Sequence, residues 1–137
     1  MVTSVIERLR ARIGVDGPAA TARVEAGHVR RFAEAVGDSN PRWKVEVPPT
    51  FLVALAPVSL HLSEAEEYGQ GWLNGGNRFE YFVPVKIGDE ITASGRVAEV
   101  YEKEGSSGNL LFIIFESDYK NQRGELVARL RGTAIRR

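Results

Sequence analysis

Gly37-Asp38-Ser39-Asn40-Pro41-Arg42-Trp43 closes one helical pattern and leads through a few charged residues into Val47-Pro48-Pro49-Thr50-Phe51. Upstream, Val29, Phe32, Ala33 and Val36 recur at i, i+3, i+4 and i+7, the period of an amphipathic helix, and Gly37 supplies its stop. Downstream, Phe51, Leu52, Leu55, Val58 and Leu62 follow helical spacing again, with Thr50 as the expected N-cap and Pro57 bending the pattern. The segment from Val47 to Leu60 is nearly uncharged, so this second helix is expected to be buried all round. A short polar loop held between two buried elements is a common place for site chemistry.

Working outward, Val5, Ile6, Leu9 and Ile13 share one side of a helix that Gly14 stops. Asp16-Gly17-Pro18 reads as a turn, and a short strand over Ala20 to Val24 follows. Past Gly69 the period falls to two. Phe79, Tyr81 and Val83 alternate with Arg78, Glu80 and Phe82 after an Asn74-Gly75-Gly76 turn. Beyond a break at Pro84 to Asp89, long strands are expected over Glu90 to Tyr101, Leu110 to Tyr119 and Glu125 to Ile135. Glu104 to Asn109 and Asn121 to Gly124 join them into an antiparallel meander. Helices in the first half and strands in the second indicate an α+β fold, a buried helix packed on an antiparallel sheet. One domain over residues 1–137 is expected, with 1–14 as an N-terminal helical extension.

The 137 residues suffice for one hydrophobic core, and 43% hydrophobic with 26% charged residues is ordinary for a globular chain. Eighteen basic and eighteen acidic residues cancel, which argues against a nucleic-acid footprint. With no cysteine, disulfides, a thiolate nucleophile and a cysteine-based metal site are excluded. The N-terminus has no apolar signal core, and no run approaches the roughly 20 apolar residues that span a bilayer. The expected location is therefore the cytoplasm, away from membranes. His28 reads as a solvated residue at a helix start, and His61, between two leucines, as a partly buried core histidine.

Several stretches together resemble a known family. They are Phe32-Ala33-Glu34-Ala35-Val36-Gly37-Asp38-Ser39-Asn40-Pro41, Val47-Pro48-Pro49-Thr50-Phe51, Phe79-Glu80-Tyr81 before Pro84, and Ile87-Gly88-Asp89. Tyr101-Glu102-Lys103 with Gly105, and the run Asn121-Gln122-Arg123-Gly124-Glu125-Leu126-Val127-Ala128, complete the set. In this order they resemble the hot-dog fold, in which a curved antiparallel sheet wraps a long central helix. More narrowly, they are similar to the MaoC-like dehydratases and (R)-specific enoyl-CoA hydratases, at the N-terminal domain of FAS1-like dehydratases. The resemblance spans about residues 15 to 137.

It implies reversible hydration of 2-enoyl thioesters to (R)-3-hydroxyacyl thioesters. Coenzyme A or an acyl carrier protein would be the substrate handle, with no bound cofactor and no metal. Such chemistry needs a base on the water, a proton for the α-carbon and support for charge on the thioester oxygen, which helix N–H groups supply. Active members carry Asp-x-Asn-Pro-x-His. Here Asp38, Asn40 and Pro41 match, and Trp43 stands where the histidine is expected. Indole has no basic nitrogen and only donates a hydrogen bond, so it cannot shuttle a proton. Neither His28 nor His61 stands at the family position.

The candidate catalytic positions are thus Asp38 and Asn40, whose plainer reading is turn chemistry. Candidate substrate-binding positions are Trp43, Thr50, Phe51, Leu52, Asn74, Gly75 and Gly76, with Leu55 as a further liner whose plainer reading is core packing. Arg42, Lys44 and Arg78 are candidates for a basic rim toward phosphates, or else ordinary surface charge. Hot-dog domains work in pairs, and in two-part dehydratases one half keeps the Asp/His dyad while the other shapes the acyl tunnel. The resemblance implies that this chain is the half without the dyad, requiring a separate MaoC-type catalytic subunit. Two other readings stay open: a homodimeric hydratase or thioesterase using Asp38 alone, and a non-enzymatic protein that binds acyl thioesters.

Overall fold

The computed structural model describes residues 4–55 and 61–137. Strands β1 (Ala20–Arg23), β2 (Trp72–Tyr81), β3 (Glu90–Gly105), β4 (Gly108–Lys120) and β5 (Leu126–Arg136) form one sheet in the order β1-β3-β4-β5-β2. Every pair in it is antiparallel. Helices α1 (Val5–Arg10), α2 (Ala26–Val36) and α3 (Leu52–Leu55) precede β2, with 3-10 helices at Pro41–Lys44, Pro49–Phe51 and Ser63–Glu67.

Alternation along β3 buries Ile91, Ala93 and Val97 while Thr92, Ser94 and Arg96 point the other way. A register shift against β4 between Val97 and Glu99 then lets Val100 face inward as well. The inward face is covered in two places. α2, α3 and the Pro49–Phe51 turn lie over Ile91, Ala93, Tyr119, Val127 and Leu130, with Phe51 fully buried at the centre. α1 and Ser63–Glu67 lie over Val97, Val100, Leu111 and Ile113 through Leu9 and Ala65, both 0% exposed.

α1 starts on a capping box in which the Ser4 hydroxyl accepts from the Glu7 N–H and Glu7 accepts from the Ser4 N–H. Arg8 pairs with Glu67, and Arg12 with Glu64 at 2.7 Å, tying α1 and the turn after it to the Ser63–Glu67 segment. Nearby, burial pushes the Tyr68 phenol up to about 12, and its hydrogen bond to Glu102 acts in the same direction.

The outward face carries a lattice of ion pairs. Arg96 reaches Asp118 at 3.1 Å and Glu116 at 3.3 Å, Arg129 reaches Asp118 at 2.8 Å, and Arg131 bridges Glu116 and Glu99 at 2.6 and 2.5 Å. Burial raises the Asp118 pKa, but hydrogen bonds from Arg129 and Arg96 more than offset it, and the carboxyl ends below its usual value of 3.8.

Several expectations change. The helix start expected at Thr50 is a 3-10 turn whose N-cap is Pro48. Pro48 and Pro49 fix their own φ, so the turn begins there and Thr50 is exposed within it. The described part of the helix that follows is Leu52–Leu55, and Pro57 and Val58 lie outside the described residues. Asp16-Gly17-Pro18 is not a turn but runs beside β3, the Gly17 N–H donating to the Gly95 carbonyl at 2.8 Å. Asn74-Gly75-Gly76 lies within β2, where pairing with β5 overrides the local turn preference and leaves a bulge. Gly76 there has φ 137°, and the Asn74 side chain accepts from its N–H at 2.9 Å. His61 is exposed, because Leu62 is the residue that turns inward ahead of the Ser63–Glu67 helix. His28 is half-buried instead of solvated, its ring 4.8 Å from that of Phe51, edge to face.

Leu9→Ala leaves a cavity under α1 and is expected to lower the unfolding free energy by about 2–5 kcal/mol in urea titrations. Asp118 has a depressed folded pKa, so its contribution is complete above its ordinary value of 3.8 and is lost as pH falls through the lower folded value. Thermal melts of Asp118→Asn should therefore lie below wild type near neutrality and converge with it below that pH.

Candidate functional site

α2 ends because Gly37 adopts the left-handed conformation, φ 73°. The next N–H, of Asp38, donates to the Ala33 carbonyl at 2.9 Å and completes the cap. Two side chains then shape the loop from within. Asp38 Oδ1 accepts from the Asn40 N–H at 3.0 Å, and Asn40 Oδ1 accepts from the Arg42 N–H at 3.0 Å, capping Pro41–Lys44. Both residues are otherwise exposed.

Trp43 leaves this turn pointing inward and packs, half-buried, against the cluster around Phe51 and Leu52. Its indole Nε1 is buried and has no hydrogen-bond partner. Two cavities meet Trp43. One, of about 330 Å³, is lined by Arg42, Glu46, Val47, Pro49, Leu52 and the β2 exit from Tyr81 to Val85. The other, of about 460 Å³, is lined by Arg30, Ala33 and Glu34 of α2, by Asp38 to Pro41, and by Lys44 and Ile87.

Apart from Thr50, which is exposed and lines neither cavity, the candidate residues fall into three groups. Asp38, Asn40, Trp43 and Leu52 converge on these cavities. Phe51, at 0% exposure, and Leu55 are core and line neither. Asn74 lines a separate surface hollow of about 290 Å³ with Trp72, Leu73 and Phe115, and Gly75 and Gly76 continue the same bulge. Arg42 and Lys44 stand at the two cavities, whereas Arg78 lies on β2 opposite Arg131. Tyr81, Phe82, Val83 and Val85 were not foreseen as a cavity wall, although the Phe79-Glu80-Tyr81 stretch before Pro84 signalled a landmark there.

No histidine lines either cavity at Trp43. His28 is engaged with Phe51, and His61 lies with Arg12, Val15 and Pro18 at another hollow. Nor is the start of the α3 segment rich in donors. Pro48 and Pro49 have no N–H, and that of Phe51 is already bonded to the Pro48 carbonyl at 2.9 Å. An isolated carboxylate with no imidazole and few free N–H groups can position a ligand but has little means to relay protons. Among the described residues no cluster of three or more His, Cys, Asp or Glu could hold a metal ion, and no helix is long and apolar enough to cross a membrane.

An α+β chain with a five-stranded antiparallel sheet, helices on one face and an Asp-x-Asn-Pro loop after the first long helix is a MaoC-like hot-dog domain. The family model for the FAS1-like dehydratase domain region matches residues 11–130, and the chain belongs to that family. It is 30% identical over 117 residues to a UPF0336 protein of Parafrankia sp. (strain EAN1pec), covering 74% of this chain and 75% of that protein. Among solved structures it is similar to the ChsH1-ChsH2 complex from Mycobacterium tuberculosis, with TM-score 0.80, 16% identity, and coverage of 96% of this chain and 88% of that one. It is also similar to the HadBC (3R-hydroxyacyl-ACP dehydratase) complex of the same organism, with TM-score 0.61, 20% identity, and coverage of 90% and 98%.

Asn40→Ala removes the loop's cap and is expected to cost about 1 kcal/mol in stability by thermal or urea denaturation. An unchanged stability would mean that the loop is held from elsewhere.

Proposed function

We propose that this chain is the non-catalytic hot-dog subunit of a heteromeric (R)-specific enoyl-thioester hydratase or 3-hydroxyacyl-thioester dehydratase, forming one wall of the acyl channel. The observation that carries the reading is Trp43, an indole where the family's proton-shuttling imidazole stands, with neither histidine of the chain at the cavities beside it. The few free N–H groups ahead of α3 point the same way. Two of the similar solved structures are themselves complexes, ChsH1-ChsH2 and HadBC.

A partner also suits the sheet. β2 lies at one margin, and Trp72, Leu73, Tyr81 and the following Phe82 are 47%, 42%, 46% and 50% exposed along it. A ten-residue margin strand with that apolar load invites edge pairing and aggregation unless another subunit covers it. A MaoC-type protein with an intact Asp-x-Asn-Pro-x-His would dock there and bring the dyad to an acyl thioester of coenzyme A or carrier protein. Arg42, at the first cavity, would lie toward its phosphates.

The test is hydration of crotonyl-CoA by the chain alone and after co-expression with a MaoC-type protein that carries the intact motif. No turnover alone and turnover in the copurified complex is the expected pair of results. Turnover by the lone chain that Asp38→Ala abolishes overturns the proposal and favours a homodimeric enzyme. Trp43→His is expected to leave the lone chain inactive, because Pro48 and Pro49 leave few free N–H donors for the thioester oxygen.

A further inference from the structure

We infer that Trp43 is a chain-length stop, an indole wall that ends the site at the first of two cavities and decides how long an unbranched acyl chain is accepted. This rests on the reading of the chain as an acyl-thioester-handling subunit. Among the described residues, Trp43 is the one common to the two cavities, of about 330 and 460 Å³. On the near side Val47, Leu52, Phe82 and Val83 make a hydrocarbon wall. A linear alkyl chain fits that wall, and Arg42 and Glu46, which also line the cavity, leave its polar side to the head of the ligand. On the far side Ala26, Ala33, Pro41 and Ile87 supply apolar lining beside the charged Arg30, Glu34, Asp38 and Lys44.

Nothing polar anchors the ring between them. The Nε1 is buried without a partner, so packing alone sets where the indole stands. The near cavity lies at the small end of the range for ligand pockets, and joining it to the far one would more than double the space open to a chain. Shortening residue 43 therefore lengthens the accepted chain, whereas an aromatic replacement of similar bulk does not.

The experiment is calorimetric titration of the purified subunit, in its natural assembly, with straight-chain saturated acyl-CoA thioesters of increasing length below their micelle concentrations. In the wild type, affinity should rise about fourfold per methylene until the chain meets Trp43 and then level off. In Trp43→Val the rise should continue to longer chains, in Trp43→Phe it should stop where the wild type stops, and Trp43→Val/Ala33→Leu should restore the early limit by filling the far cavity. The same limit in wild type and Trp43→Val, the same extension in Trp43→Phe as in Trp43→Val, or no saturable binding by either wild type or Trp43→Val, overturns the inference. Saturated thioesters cannot be hydrated, so this readout is independent of activity. If the lone chain turns out to be a working hydratase, the subunit reading fails and the length series still decides the role of Trp43.

Discussion

Water has to be kept from one face of the sheet, the face that carries Ile91, Ala93 and Val97 of β3 and Leu111, Ile113 and Tyr119 of β4. A sheet of this kind is stable only when another layer buries that face. Here the layer is assembled from pieces. α2 and α3 cover one end through Val29, Phe51 and Leu52, and α1 with Ser63–Glu67 covers the other through Leu9 and Ala65. The loop from Gly37 to Pro49 exists to carry the chain from one covering piece to the next, so its position is a by-product of core closure. The position of the loop therefore does not depend on which residue stands at position 43.

The loop's own polar groups tell a consistent story. A carboxylate meant for proton transfer would need an oxygen aimed at a reacting atom and a neighbour to relay through. One oxygen of Asp38 accepts from the Asn40 N–H, and the Asn40 side-chain carbonyl accepts from the Arg42 N–H. These bonds hold the turn in the shape that presents Trp43 to the core. A residue can thus be kept for the geometry it imposes two or three positions further on.

The meander was legible because long β-prone runs over β3 to β5 and the glycine-bearing connectors Glu104 to Asn109 and Asn121 to Gly124 agree locally with the global pairing. α2 was legible for the same reason, its apolar stripe ending at a glycine that does adopt positive φ. Asn74-Gly75-Gly76 was misread because its local preference is a turn, whereas β5 supplies a partner over the whole stretch and Gly75 sits against Thr133 and Ile135, where a Cβ would be 2.9 Å from the Thr133 methyl. The cavity wall from Tyr81 to Val85 could not be read along the chain. Its contact with Leu52 and Trp43 follows from how the sheet and the covering layer fold together, which no local pattern encodes. Phe51 is core in this structure, and the spacing that marks an inward side chain cannot distinguish core from pocket.

The pairing of β2 with β5 has a consequence for how the molecule is made. Trp72 lies opposite Arg136, and Tyr81 opposite Ala128, so β2 finds its partner only when residues 126–136 exist. Contacts of such wide separation form late and slowly, and during synthesis the preceding strand waits with both edges bare. The margin that we assign to a second subunit is therefore among the last surfaces to take shape. Assembly has to follow folding of the C-terminal strand, and any nascent-chain helper that delays aggregation acts in the interval before it.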